Sequence, residues 1–344
     1  MKNHMLCKYI GLILTVVLVL SACGTASSQP SSVSSAEGSS QEAEASLDYP
    51  KQNITFIVPY AAGGGTDISA RILQTYAEQE LGVKLTIVNK PGGGGELGFT
   101  EIAKANPDGY TIGYLNTPSA VTAYLDRDVQ YDFDNSFEYI CTQTLTPRLI
   151  AVQKDSQFDT IESFIEYAKA HPGELTVANT GIGGFAHVTT LALEQTAGIT
   201  LTSVPFDGGS EALTALMGKQ VDVAPLSFGE AKSAAENGEI KVLGLYTEEP
   251  SDTFPGVQTF REAGYDIVMV GIQPIVAPKG TPKEIVDFLS QTFEKVFANE
   301  EYIAKMDEAG NIPTYMNGAD TEAFIKDSLE QFRPLMEIVK EMQS

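Results

Sequence analysis

The chain is 344 residues long, 43% hydrophobic, free of tryptophan, and carries a formal charge of −23. So acidic a chain excludes docking to nucleic acid, or to an anionic membrane, through a polybasic surface. Its length allows two domains of ordinary size.

In chain order, Lys2 and Lys8 open a short basic stretch and an apolar run follows from Tyr9 to about Leu20, ending Leu20-Ser21-Ala22-Cys23. Basic, then apolar, then small residues is the order of a secretory signal, and the run is too short and wrongly flanked for a transmembrane helix. An uncleaved anchor is the alternative. No later segment is long and apolar enough to span a bilayer. Leu-Ser-Ala-Cys-Gly resembles the lipobox of bacterial lipoproteins, which implies that residues 1–22 are a removed signal and that Cys23 is acylated. Each buried methylene contributes roughly 0.8 kcal/mol, so two or more chains anchor stably where one does not. Losing Lys2 and Lys8 takes the charge from −23 to −25. Cys7 leaves with the signal, so Cys141 has no disulfide partner within the chain; in Tyr139-Ile140-Cys141 it reads as a buried structural thiol. After Cys23 the chain to Ser46 is rich in Ser, Ala, Gly, Gln and Glu, with Val33 its only large aliphatic, and reads as a flexible tether.

The body alternates strand and helix signals, the pattern of α/β layers with mostly parallel sheets. Asn53–Val58 is a near-continuous β-rich run, Asp67–Glu80 a helix with Ile68, Ile72 and Tyr76 at i, i+4, i+8 and Leu73 beside them, and Lys84–Val88 the next strand. Glu96–Ala105 predicts a helix, Tyr110–Leu115 a strand, Leu149–Val152 another, and Ile161–Ala170 a helix ended by Pro172-Gly173. Strands follow at Leu175–Ala178, Leu201–Val204, Val221–Ala224 and Val242–Tyr246, then a long apolar run, Val268–Ala277. Thr281-Pro282-Lys283-Glu284 has the form of a capping box with proline at the first helical position. Helices are expected at Lys283–Asn299, Glu300–Ala309 and Thr321–Glu341.

Three glycine-rich segments each follow a strand and open a helix: Pro59–Asp67, Asn89–Gly95 and Asn179–His187. A helix N-terminus offers unpaired N–H groups and about half a positive charge, and glycine lets that backbone close on a ligand. Such ends bind anions without arginine or lysine. Tight turns alone also explain glycines, most readily in the second segment. The first loop does not match Gly-x-Gly-x-x-Gly and none has the P-loop pattern. There is no Gly-x-Ser-x-Gly elbow, and only His171 and His187 remain after the signal as a base, which argues against a hydrolase. The histidines have no partner at ligand spacing, so no metal is expected.

Val58–Asp67 with Ala70-Arg71 is similar to the opening signature of the solute receptors of tripartite tricarboxylate transporters, the Bug family. Further matches follow in order: Val88–Gly92, Asn106–Thr111, Tyr167–Gly173, Val204–Gly209, Gly218–Asp222 and Ala277–Pro282. The resemblance covers the body from about Asn53. It implies a hinged, two-lobed periplasmic-binding-protein fold (type II-like) with the ligand in the inter-lobe cleft, lobe 1 being 47–147 plus 272–344 and lobe 2 being 148–271. It implies a receptor rather than an enzyme, a monomer without cofactor, capturing a small carboxylate for the permease subunits of such a transporter. Its place would be the outer face of the cytoplasmic membrane, held by lipid, or the periplasm. The carried-over site is Tyr60, Ala62, Gly63, Thr66 and Asp67 from one lobe and Thr180, Gly181, Gly184 and His187 from the other, with Thr117, Phe206, Asp207 and Ser227 as further candidates. Asp67 is expected to serve the helix end structurally, and His187 either to touch ligand or to orient its loop. Asp207 departs from the Lys or Arg common in the family: it repels a second carboxylate or recruits an ammonium, or is a solvated turn residue. The segment Val270–Gln273 also lacks the family's common tryptophan. The alternatives are a transporter receptor that clamps its carboxylate with a buried arginine, for which Arg148 is the one candidate, and a secreted α/β enzyme.

Overall fold

In the computed structural model of the protein the described residues are 47–206 and 208–343, so the signal segment, Cys23, the tether and Asp207 lie outside them. Strands β1 (Ile54–Val58), β2 (Leu85–Asn89) and β3 (Thr111–Tyr114) pair in parallel with β1 in the middle, crossed over by α1 (Gly65–Leu81) and α2 (Glu96–Lys104). After α3 (Ser119–Asp126), β4 runs from Phe137 to Gln153. Then come α4 (Ile161–Ala170), β5 (Thr176–Asn179), α5 (Phe185–Ala197), β6 (Thr202–Pro205), α6 (Gly209–Met217), β7 (Val223–Ser227), α7 (Phe228–Glu236) and β8 (Ile240–Leu245). The chain ends with β9 (Val270–Pro278), α8 (Lys283–Phe297), α9 (Glu300–Glu308), β10 (Ile312–Asn317) and α10 (Gly318–Gln343).

Two sheets share β4. Its first part pairs antiparallel with β9 and β10, as far as Pro147 opposite Val270, and β9 joins it to the parallel trio β2-β1-β3. From Arg148 onward it pairs antiparallel with β7 and β8, and β7 leads to β5 and β6, a second parallel trio. The sheets are therefore mixed rather than mostly parallel. The expected strand at Leu149–Val152 is only the end of β4, whose middle, Thr142-Gln143-Thr144, is polar yet fully buried. Gln143 explains how: its Nε2 donates to Tyr302 Oη (2.8 Å) and to the Ser69 carbonyl (3.3 Å), and Tyr114 Oη donates to its Oε1. This side chain ties β3, α1 and α9 to the shared strand.

Helix α1 buries Ala70, Leu73, Ala77 and Leu81, with Ile72 and Tyr76 half-buried against the same core, while Ile68, expected on that stripe, is 42% exposed. Gly82, in the left-handed region, ends it. The capping box expected at Thr281 does not form: Pro282 is the cap residue of α8, and the Thr281 hydroxyl donates to the Pro278 carbonyl. Helix α10 continues through Pro334 and packs on both sheets' helices, with Phe332 against Phe185 and Gln331 Nε2 donating to the Val268 carbonyl (2.7 Å). Its Phe332, Leu335, Met336 and Val339 join a core that includes Val121 of α3 and Val188 of α5. Cys141 is buried, and burial pushes its thiol pKa up.

At Gly113 the sheet has no room for a side chain, since a Cβ there would meet the Ile57 carbonyl and the Ile102 methyl. Gly113→Val is expected to lower the unfolding free energy by about 1–3 kcal/mol. A urea titration checks it; an unchanged midpoint would contradict the packing described.

Candidate functional site

A cleft of about 470 Å³ lies where the two sheets meet at the Pro147–Arg148 step of β4. Five helices direct their first turns at it: α1 through Gly65 and Thr66, α3 through Ser119, α5 through Phe185, α6 through Ser210, and α7 through Phe228 and Glu230. Helices α1, α3, α5 and α6 have no side-chain cap, but the Ala120 N–H of α3 bonds back to the Asn116 carbonyl (2.9 Å) and the Glu230 carboxylate lies against the start of α6, so the first turns of α1 and α5 are the ones left for another acceptor. Only α7 is capped, by Ser227, in a reciprocal box with Glu230. A second chamber, about 510 Å³, shares Tyr60, Ser119, Arg148 and Phe185 with the first and extends past Gly93, Thr180 and Gly184.

Each loop is held by its own side chains. Asp67, buried at the start of α1, accepts from the Gly63 N–H (2.8 Å), Arg71 Nε (2.8 Å) and Asn89 Nδ2 (2.9 Å). Burial alone would raise its pKa, but these hydrogen bonds hold it at about 2. Asn89 Nδ2 also donates to the Tyr60 carbonyl, so the start of the second glycine segment staples the first. In the third loop Asn179 Oδ1 accepts from the Gly181 N–H (2.9 Å), and His187 Nδ1 accepts from the Gly183 N–H (3.0 Å). Burial lowers the His187 pKa, which keeps the ring neutral and able to accept. Tyr60 is hydrogen-bonded to Ser119, and burial raises its pKa to about 12.

Of the residues singled out from sequence, Tyr60, Thr66, Thr117 and Ser227 line the first chamber, and Tyr60, Thr180 and Gly184 the second. The Thr117 hydroxyl accepts from the Ile272 N–H (3.1 Å) and the Ser227 hydroxyl caps α7, so both are already engaged. Asp67 and His187 stand behind the wall and shape the loops. Ala62, Gly63 and Gly181 belong to the loops without lining either chamber, and Phe206 packs on the apolar cluster behind the second sheet. Sequence reading passed over Asn116, Ser119, Phe185, Glu230, Gln273 and Asn311, all on the first chamber's wall. Phe185 lies inside the third glycine segment and Gln273 inside the Val270–Gln273 segment, and neither was singled out as a site residue. Gly93 and Gly94 also reach the second chamber.

The His187 contact has a pH signature. Because the folded pKa is depressed, its contribution to stability is fully present above about 6.5, the ordinary value, and is lost as pH falls through the lower folded value. His187→Gln, which keeps an acceptor but does not titrate, is expected to lose less stability than the parent between pH 7 and pH 5 in scanning calorimetry. Parallel losses would show that His187 is protonated without penalty.

The profile of the "Tripartite tricarboxylate transporter family receptor" matches residues 69–341. A protein of Cupriavidus necator, the UPF0065 protein in the gbd 5' region, is 31% identical, with 86% of this chain and 90% of that protein covered. Among solved structures, a TctC solute-binding protein from Polaromonas without ligand superposes with TM-score 0.77 at 28% identity, over 84% of this chain and 99% of the other. MatC of Rhodopseudomonas palustris, solved with bound malate, gives TM-score 0.70 at 26% identity, over 84% of this chain and all (100%) of the other. The fold is that of two-lobed periplasmic binding proteins, with the cleft between the lobes. The chain belongs to the family of tripartite tricarboxylate transporter receptors.

Proposed function

We propose that the chain is a lipid-anchored receptor that captures a small carboxylate in this cleft and delivers it to the membrane subunits of a tripartite tricarboxylate-type transporter. The observation that carries the reading is the convergence of helix N-termini without side-chain caps on one chamber: each presents N–H donors and partial positive charge to an anion. The malate in the related MatC structure is consistent with a carboxylate here. Thr66 and Thr180 are the hydroxyl donors of the proposed site, beside the backbone of Gly65, Gly184 and Phe185. The lobes are proposed to divide at the Pro147–Arg148 step, 47–147 with 272–344 against 148–271, with α10 resting on both. Among the described residues no helix is long and apolar enough to cross a membrane.

A thermal-shift screen against small carboxylates identifies the ligand, since one present at 100 times its Kd adds about 2.7 kcal/mol of stability. Gly184 then separates a backbone site from a side-chain site, because a Cβ there would stand 2.6 Å from the Thr180 carbonyl oxygen. Losing one hydroxyl donor to a charged acceptor costs about 1.5–3 kcal/mol, so Thr180→Val is expected to weaken binding roughly ten- to a hundredfold. Gly184→Val, which displaces the helix end, should weaken it further. Calorimetry giving equal or reversed losses would count against the backbone reading.

The anchor is tested separately. Cys23→Ser should release the body into the soluble fraction, or stall its processing, without changing its melting temperature. A fully processed variant that stays membrane-bound would refute the lipid attachment.

A further inference from the structure

Arg148 opens the second-sheet half of β4, and its guanidinium lies over the Phe185 ring, 4.4 Å from the centroid, on the wall common to both chambers. Its side chain is 12% exposed and Nη1 reaches Glu230 Oε2 at 3.3 Å, while Nε is buried without a partner. A guanidinium with five N–H groups is under-satisfied by one long contact, and burial lowers its pKa against the pull of Glu230. It has donors left for a carboxylate.

Glu230 is fixed more firmly. Its Oε2 also accepts from the Ser227 N–H (2.7 Å), and its carboxylate sits over the first turn of α6, where Gly209 leaves the space a Cβ would occupy. It remains 29% exposed on the chamber wall, a resident anion that cannot swing aside without uncovering the α6 end and breaking the α7 box. The same wall holds two amide oxygens without a donor, Asn116 Oδ1 and Gln273 Oε1, in residues 8% and 5% exposed. Glu230 and both amide oxygens thus line the same chamber as Arg148.

We propose that the Arg148–Glu230 pair makes this receptor selective for a zwitterion, a small ligand with one carboxylate and one ammonium group, over a dicarboxylate. The proposal rests on the reading of the cleft as the ligand site. The ligand carboxylate adds to Arg148 and to the helix ends of α1 and α5. Its ammonium faces Glu230 and satisfies the amide oxygens, directly or through one water. A second carboxylate in that place meets Glu230 as a like charge and offers the amide oxygens no donor.

The test is a calorimetric panel of the common amino acids against straight-chain dicarboxylates of matched length, with the parent protein, Glu230→Gln and Gly184→Val. Glutamine preserves the α7 capping geometry and removes the charge, and Arg148→Lys serves as a second variant should Glu230→Gln melt early. The tightest parent ligand should carry an amine and bind at least about tenfold more tightly than the matched dicarboxylate. Glu230→Gln should weaken the amine ligand about tenfold and leave dicarboxylates unchanged or tighter, while Arg148→Lys should weaken every carboxylate. A dicarboxylate as the tightest ligand, no binding by any amine, or equal effects of Glu230→Gln on both classes would overturn the proposal. A ligand whose affinity survives Gly184→Val unchanged would instead overturn the cleft as the site.

Discussion

The arrangement depends on β4 belonging to two sheets at once. A strand shared this way must bury residues on both faces in its first half and change partners at the Pro147–Arg148 step, which sets Arg148 at the edge of the second sheet, on the cleft wall. Burying Thr142, Gln143 and Thr144 is tolerable only with partners, because an unpaired buried polar group costs about 1–3 kcal/mol. Gln143 meets Tyr114, Tyr302 and Ser69, and Thr142 meets Thr321 (2.9 Å). Ser69 also donates to Asn311 Oδ1 (3.2 Å) on the cleft wall. The network that makes the shared strand possible thus also sets where α1 begins, and with it one of the N-termini of the cleft.

The glycine loops were legible in the sequence because their chemistry is local. A strand, several glycines and a helix in immediate succession give an open N-terminus whatever surrounds it, and Asp67 and His187 each accept an N–H from their own loop. Much of the remaining wall was not legible, for a physical reason: Asn116, Glu230 and Asn311 come from three separate elements or connections, and none lies in a motif. Glu230 carries no signal of its own in the sequence, and only the space left by Gly209, a residue on another helix, shows why it points where it does. The full length of β4 was hidden for the same reason, since Thr-Gln-Thr in a strand reads as exposed until its partners are known.

The same distinction between local and distant effects explains how so acidic a protein can hold an anion. A formal charge of −23 spread over the molecule produces a field that physiological salt screens beyond about 8 Å. Many surface carboxylates are moreover engaged by cations, as Asp155 is by Lys219 and Asp287 by Lys283. The helix ends act at hydrogen-bond distance, inside the screening length and in a cleft that limits water. Their contribution is therefore set by the first turns of α1 and α5, and hardly at all by net charge. The distant field still governs approach: an anion is repelled weakly on its way in, more so at low ionic strength, so the protein's charge slows capture of a dianion more than that of a zwitterion. The charge outside the cleft and the Glu230 carboxylate inside it act in the same direction, one on the rate of entry and the other on the bound state.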